Sequence, residues 1–193
     1  MKPKAKDEIR SFIAIDISHD IRKALNKFVS KLKHTGEDVR WVRIEGIHLT
    51  LKFVGNIKPH MVNEILRAME NSVNGIGPFK VEVKGTGVFP NLKKPRVFWV
   101  GVNEETGKLE RLAANIEKEL KNLGFKEEER KFKPHLTLGR VSQGGKAWKL
   151  CDIINDEADR NFGAFEVREI ILFKSKLTPT GAEYTKLGAV SLK

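Results

Sequence analysis

The sequence predicts an α+β protein assembled from two related lobes, and two observations lead to this prediction. Segments with the periodicity of amphipathic helices alternate along the 193-residue chain with short segments typical of strands. In addition, the tetrapeptide His-Leu-Thr-Leu occurs twice, at residues 48–51 and 135–138. Each copy follows a helical segment, so we expect a pseudo-symmetric duplication whose two intertwined lobes form one domain over residues 1–193.

The first half of the chain predicts a strand and helix, then two strands and a second helix. Ser18 or Asp20 can cap the first helix, and Gly36 can end it. Pro59 opens the second helix, because proline is tolerated in a first helical turn. The predicted strands of this half are residues 10–17, which are apolar enough for a central strand, 39–43 and 47–54.

The second half predicts a long hairpin, two helices and three further strands. The hairpin connection contains Pro90 and Pro95. One helix covers about residues 105–123 and ends at Gly124, and a short helix covers about residues 147–154. The predicted strands are residues 79–85, 96–102, 135–141, 165–174 and 184–191, with a turn at 177–181 between the last two.

The composition favours a soluble protein with an anionic partner. Lysine and arginine number 36 against 25 aspartate and glutamate residues, which gives a formal net charge of +11. This surplus attracts polyanions and favours a nucleic-acid or phosphorylated substrate; a heat-adapted surface is a compatible alternative explanation. No apolar run approaches the ~20 residues that cross a bilayer, and residues 1–10 do not resemble a secretory signal. We therefore expect a cytoplasmic protein without a membrane partner.

The repeated motif puts a histidine and a threonine on the same side of each strand. Side chains alternate between the two faces of an extended strand, so His48 and Thr50 point one way while Leu49 and Leu51 point the other. The same alternation holds in the second copy. The leucines then anchor each strand to a core, and the imidazole and hydroxyl are left on a face that can line a cleft.

Two histidines and two threonines suit the hydrolysis of a phosphodiester. Water must lose a proton as it attacks phosphorus, and the departing sugar oxygen must gain one. His48 and His135, one neutral and one protonated, can perform these two transfers. Thr50 and Thr137 can donate hydrogen bonds to phosphate oxygens, and Arg140 is the candidate cation for the charge that grows in the transition state.

No metal ion or other cofactor is expected in this chemistry. Metal-binding histidines usually stand four residues apart on a helix or cluster with cysteines, and the sequence contains neither pattern. Cys151 is the only cysteine, so it has no partner for a disulfide. The remaining histidines, His19, His34 and His60, are assigned to the surface.

Around its two motifs the sequence resembles the two-histidine (2H) phosphoesterase superfamily, specifically the RNA 2′,3′-cyclic phosphodiesterases that are also called 2′-5′ RNA ligases. The resemblance covers nearly the whole chain. It rests on both His-x-Thr-x motifs and on the sequence of residues 10–15, 41–42, 48–55, 87–90, 133–140 and 177–184.

This resemblance implies a fold, an activity and a set of roles. The fold is bilobal, with two antiparallel sheets lining a central groove, the two motifs facing each other across it and the helices outside. Family members need no metal and open the cyclic phosphate to a 2′-phosphate and a free 3′-hydroxyl. By position, His48 resembles the acid that protonates the leaving 3′-oxygen, His135 the base that activates water, Thr50 and Thr137 the phosphate binders, and Arg140 an electrostatic helper.

The resemblance also implies a role for Phe53, as a stacking surface for the terminal base. In an unbroken strand Phe53 shares the phase of Leu49 and Leu51, which predicts core packing instead. A role at the base requires a bulge that turns the ring outward. Core or lobe packing is also predicted for Trp41, Trp99 and Trp148. The charged residues 126–133 are assigned to a solvated loop, with a contact to the RNA backbone as the alternative because they flank the second motif.

Two alternatives remain at the level of sequence. The same proton transfers run backwards would join a cyclic phosphate end to a 5′-hydroxyl, as a 2′-5′ RNA ligase, although hydrolysis is expected to dominate in water. A non-catalytic nucleotide- or RNA-binding module on the same fold is the second alternative. The expected substrate is RNA with a 2′,3′-cyclic phosphate end or a small cyclic nucleotide, and the chain is expected to be a monomer.

Overall fold

The computed structural model describes residues 8–179 and 181–193, which form nine β-strands and four α-helices. The strands are Ile9–Asp16 (β1), Val39–Trp41 (β2), His48–Ile57 (β3), Phe79–Phe89 (β4), Val97–Asn103 (β5), His135–Val141 (β6), Asn161–Val167 (β7), Glu169–Thr178 (β8) and Gly181–Ser191 (β9). The α-helices are His19–Lys33 (α1), Val62–Ser72 (α2), Lys108–Asn122 (α3) and Trp148–Asp156 (α4). Residues 1–7 and residue 180, in the predicted turn, lie outside the described residues.

The described strands pair in the order β7-β4-β5-β6-β3-β1-β8-β9, with β2 added to β6, and every pairing is antiparallel. The two central strands, β3 and β6, are paired at one position, where Leu49 lies opposite Leu136. We call this pairing the seam. The predicted α+β class with antiparallel strands and covering helices is confirmed, and the two predicted sheets are joined at the seam into one nine-stranded sheet.

Each half of the sheet is built around one motif. The His48 half contains β3, β1, β8 and β9, and the His135 half contains β6, β5, β4, β7 and β2. In both halves the strand with the motif pairs with a strand that precedes it in sequence, β1 in one and β5 in the other. This equivalence is the pseudo-symmetry that the repeated tetrapeptide predicts.

The apolar run at residues 165–174 predicts one strand, and this prediction is wrong. The chain leaves one strand at Arg168 and enters another, so the run is divided between β7, which pairs with β4, and β8, which pairs with β1. These strands lie in opposite halves of the sheet. Both strands bury apolar side chains, so hydrophobicity continues across the break between the two strands and does not mark it.

The helices and the sheet enclose a common hydrophobic core. Leu49 and Leu136 are fully buried and belong to one cluster with apolar residues of all four helices. The helix α1 begins where Ser18 accepts a hydrogen bond from the backbone N–H of Ile21, as the predicted cap requires. Within the described part of the chain, no helix is long and apolar enough to span a membrane. The histidines of both motifs lie on the other face of the sheet, opposite the buried leucines.

Candidate active site

The seam brings the two motif copies side by side in opposite directions. In an antiparallel pair, the residue after one paired position lies opposite the residue before the other. The leucine pairing therefore puts His48 across from Thr137 and Thr50 across from His135. All four side chains share the face away from the core, and the two histidines are diagonal neighbours, with about 7–8 Å between their backbones. This spacing leaves room for a phosphoryl group between the two rings.

Both imidazoles are oriented by the same kind of backbone hydrogen bond. Nδ1 of His48 lies 2.8 Å from the carbonyl oxygen of Gly46, and Nδ1 of His135 lies 2.7 Å from that of Lys133. A carbonyl oxygen only accepts, so Nδ1 of each ring holds a proton and donates it. The Nε2 atoms are left for a substrate, to accept a proton in the neutral ring or to donate one in the charged ring.

The two histidines have different charged neighbours. Burial lowers the pKa of His48 below its ordinary value of 6.5, while the hydrogen bond to the backbone carbonyl and the Asp16 carboxylate oppose the decrease and Arg22 adds to it. Burial also lowers the pKa of His135, opposed by the backbone hydrogen bond and assisted by Arg140. A carboxylate thus favours the imidazolium at His48, and a cation disfavours it at His135.

Aromatic rings enclose the His48 imidazole. The Phe12 ring stacks on it at 4.6 Å between centroids, and the Tyr184 ring meets it edge-on at 5.1 Å. Burial raises the pKa of the Tyr184 phenol, which keeps its hydroxyl protonated near neutral pH. Neither residue is among the predicted site residues, although both lie in segments that carry the family resemblance. The enclosed ring is held in place and partly shielded from water.

Two other rings stand beside His135. The Phe89 ring meets the imidazole edge-on at 5.0 Å, and the centroid of Trp99 is 6.4 Å away. Trp99, for which packing is predicted, is half-buried on the same sheet face as the histidine. Trp148 is 61% exposed, so the packing prediction is wrong for that residue.

A β-bulge turns Phe53 toward the site. The register between β1 and β3 shifts by one residue at Leu51, which becomes the extra residue of the bulge. Beyond it the strand phase is reversed, so that Lys52 is buried and Phe53 is 62% exposed. Core packing of Phe53 is therefore a wrong prediction, and the bulge required for a role at the base is present. The Phe53 ring lies 6.2 Å from that of Phe12, which stacks on His48.

The second motif contains the same bulge, at Leu138 between β5 and β6. The reversed phase buries Gly139 and exposes Arg140. A Cβ at Gly139 would lie 2.7 Å from Cγ1 of Val39, so the close approach of β2 requires glycine there. Arg140 is the pseudo-symmetric counterpart of Phe53, and it lies near enough to His135 to lower the pKa of that imidazole. The six predicted site residues thus share one sheet face around the seam.

A buried lysine on the core side of the sheet connects the strand of the first motif to the segment before the second motif. Nζ of Lys52 lies 2.6 Å from a carboxylate oxygen of Glu117 on α3 and 2.7 Å from the carbonyl oxygen of Lys126. The strand of the first motif thereby holds the segment that leads to His135. The charged residues 126–133 form a loop, as predicted, but the loop is anchored at its start.

This arrangement can exchange two protons with a phosphoryl group. Two imidazoles whose Nε2 atoms are not used by the backbone hydrogen bonds share one sheet face with two threonines and Arg140. Within residues 8–179 and 181–193, no group of three or more histidine, cysteine, aspartate or glutamate side chains is arranged to hold a metal ion.

Comparisons with known proteins agree with the geometry. A family model described as LigT-like phosphoesterase matches residues 15–99 and again residues 100–184, one motif in each match. The RNA 2′,3′-cyclic phosphodiesterase of Methanocaldococcus jannaschii is 39% identical over 176 residues, covering 91% of this chain and 96% of the relative. The enzyme of the same name from Thermotoga maritima is 38% identical over 182 residues, covering 93% of each.

Solved structures match over almost their full length. The crystal structure of the Thermus thermophilus protein TT0787 has a TM-score of 0.80 at 28% identity, covering 95% of this chain and 98% of that one. The crystal structure of E. coli LigT complexed with 3′-AMP has a TM-score of 0.74 at 25% identity, covering 96% and 99%.

Proposed function

Because the chain belongs to the LigT-like phosphoesterase family, we propose that it opens 2′,3′-cyclic phosphates at RNA ends, leaving a 2′-phosphate and a 3′-hydroxyl, with His48 and His135 exchanging the protons. Relatives at 38–39% identity bear the name RNA 2′,3′-cyclic phosphodiesterase. The observation that carries the proposal is the seam, because it brings two imidazoles with the same backbone hydrogen bond to one sheet face as diagonal neighbours. Both motifs come from one chain, so a monomer suffices.

The unequal charges around the histidines support a division of roles. His48, beside Asp16, is the general acid, because a carboxylate favours the protonated ring. His135, beside Arg140, is the general base, because a cation favours the neutral ring. The bound phosphate is itself an anion and stabilises the His48 imidazolium further.

The reaction then follows from the positions of these groups. Nε2 of His135 takes a proton from water as the water oxygen attacks phosphorus. The bond from phosphorus to the 3′-oxygen breaks, and Nε2 of His48 gives its proton to that oxygen. Thr50 and Thr137 donate to the non-bridging oxygens, and Arg140 stabilises the charge that develops on them.

The surroundings of the seam favour RNA over a free cyclic nucleotide. The exposed Phe53 ring offers a stacking surface for the terminal base on the side of His48. The net charge of +11 favours association with a polyanion. We therefore expect a short RNA to react with a higher kcat/KM than 2′,3′-cyclic AMP.

Analysis of the product end tests the proposal. A short RNA ending in a 2′,3′-cyclic phosphate is incubated with purified protein and a chelator, and the product is digested to nucleotides under conditions that keep the terminal phosphate and separated by chromatography. We expect a 2′-phosphate end, formed at the same rate with and without the chelator. An otherwise identical RNA ending in a linear 3′-phosphate is the control and should stay unchanged. Tight binding without turnover would instead support the nucleotide-binding module, and a 3′-phosphate product would contradict the assigned leaving group.

The pH dependence provides a second test, through Arg140. At low pH the value of kcat/KM falls because the base becomes protonated, which gives the acid limb of the pH profile. Burial and Arg140 keep the pKa of His135 below 6.5. Arg140→Ala removes the cation, so the pKa of His135 rises and the acid limb should move to higher pH. Arg67→Ala, an exposed arginine on α2, is the matched control. An acid limb that stays in place in Arg140→Ala would count against His135 as the base.

A further inference from the structure

Lys52 is the one charged residue that is buried in the part of the chain that the structure describes. Its side chain is 5% exposed, and its Nζ donates to Oε2 of Glu117 at 2.6 Å and to the Lys126 carbonyl oxygen at 2.7 Å. The second copy of the motif has Gly139 at the equivalent position, so the motif itself does not require a lysine there. The groups that Lys52 contacts must therefore account for it.

Stability is a poor explanation for this buried pair. The free energy needed to remove two charges from water is about as large as the attraction between them, and apolar side chains of similar volume often stabilise a core equally well. An ion pair differs from apolar packing in its directionality, because its hydrogen bonds fix the positions of the donor and the acceptors. The pair of Lys52 and Glu117 is therefore better suited to holding segments of the chain in one arrangement.

The pair anchors the start of the loop at residues 126–133. No backbone–backbone hydrogen bond joins these residues to any other part of the described chain. Instead, the Lys126 carbonyl oxygen accepts from Lys52, and the backbone N–H of Glu128 donates to the same Glu117 oxygen at 3.3 Å. The two charged side chains thus connect the start of the loop to both β3 and α3.

The other end of this loop orients the imidazole of His135. Phe132 packs against the hydrophobic core, and the carbonyl oxygen of the next residue, Lys133, accepts from Nδ1 of His135 at 2.7 Å. This hydrogen bond keeps the proton of the neutral ring on Nδ1 and leaves Nε2 to accept one, as a general base requires. A displaced loop would move the carbonyl oxygen away, and the proton could then occupy Nε2 instead.

The pair also supplements the seam. β3 and β6 are paired at a single position, where Leu49 lies opposite Leu136. Lys52 lies on β3, four residues after His48, and from the core side of the sheet it reaches the segment that precedes His135. It therefore provides a second connection between the strand of the first motif and the second motif.

We propose that the pair of Lys52 and Glu117 is a positioning element of the active site, which holds the loop at residues 126–133 so that the Lys133 carbonyl keeps His135 in the tautomer that accepts a proton from water. The inference rests on the proposed function, with His135 as the base. Both side chains act from the core side of the sheet, away from the face on which the histidines lie. Their loss should slow proton transfer without weakening the binding of the phosphate.

Replacing the pair with apolar residues tests the inference. Lys52→Met combined with Glu117→Leu removes both connections to the loop but leaves no unpaired charge in the core, so the protein should remain folded. The control is the same double exchange, lysine to methionine and glutamate to leucine, in the exposed pair of Lys186 and Glu169, whose charged atoms lie 3.3 Å apart. Circular dichroism and urea denaturation show whether each variant is folded.

Two measurements are then made on each protein. Steady-state kinetics with a cyclic phosphate RNA give kcat and KM. The nitrogen chemical shifts of the His135 ring, recorded without substrate at a pH where the ring is neutral, show which nitrogen holds the proton. We expect kcat of the Lys52→Met and Glu117→Leu variant to fall at least about tenfold with little change in KM. The His135 proton should be distributed over both ring nitrogens in this variant and remain on Nδ1 in the control.

The remaining outcomes are distinct. An unchanged kcat overturns the inference, and so does a lower kcat with the proton still on Nδ1 of His135, since the pair would then act by another route. If the double variant does not fold, a glycine inserted after Glu129 takes its place, because it lengthens the exposed loop beyond an intact pair and should have the same two effects. If wild type does not open the cyclic phosphate, the proposed function fails, and the tautomer alone decides whether the pair orients His135.

Discussion

Replacing His48 or His135 with alanine should lower kcat for cyclic phosphate opening by roughly 10²- to 10⁴-fold, because each variant loses one of two concerted proton transfers. The double variant should be little worse than either single one, since groups that act in one step are not additive. Steady-state kinetics with a cyclic phosphate RNA near pH 6 would measure both effects. His60→Ala, an exposed histidine outside the motifs, is the matched control and should retain wild-type activity. Activity within a few-fold of wild type in either motif variant would remove that histidine from the mechanism.

An activated ester separates the two roles. The leaving group of bis(p-nitrophenyl) phosphate departs without help from an acid. His48→Ala should therefore lose much less activity on this substrate than on the RNA, while His135→Ala should lose a similar factor on both. The opposite pattern would exchange the roles of acid and base.

The largest expected effect on stability comes from the seam. Leu136→Ala should lower the free energy of unfolding by about 2–5 kcal/mol, because the side chain is fully buried and a cavity would remain where β6 meets β3. Urea denaturation followed by circular dichroism would measure the change. Leu177→Ala, at a leucine that is 68% exposed, is the control and should stay within about 0.5 kcal/mol of wild type. A loss below about 1 kcal/mol in Leu136→Ala would mean that the two halves do not depend on this contact.

Much of the fold follows from patterns that the sequence displays. Alternation around the repeated motif correctly predicts that Leu49 and Leu136 are buried while His48 and His135 face away from the core. Periodicity predicts all four helices, because each presents one apolar stripe to a single core. The break between β7 and β8 at Arg168 escapes this reasoning, since apolar residues on both sides of it are buried in different halves of the sheet.

The surroundings of the histidines are harder to predict, because they depend on register. A bulge shifts the phase of a strand by one residue and leaves no pattern in local hydrophobicity. Phe53 is two residues after Leu51, so its position in the sequence alone predicts a core residue. Tyr184 and Trp99 reach the site from strands distant in sequence, and only the pairing of β8 with β9 and of β5 with β6 brings them near. The family resemblance marks the segment around Tyr184 without giving its contact with His48.

The pairing of β8 with β1 also has a consequence for the order in which the protein can be made. When the ribosome has released the first repeat, β1 can pair with β3, but its other edge has to wait for β8, which follows the second repeat in the sequence. That edge is long, apolar and unprotected in the nascent chain, the kind of surface to which chaperones and other unfinished chains bind. Although the motif occurs twice in the sequence, the first repeat therefore cannot complete its own half of the sheet until β8 and β9 have also been synthesised.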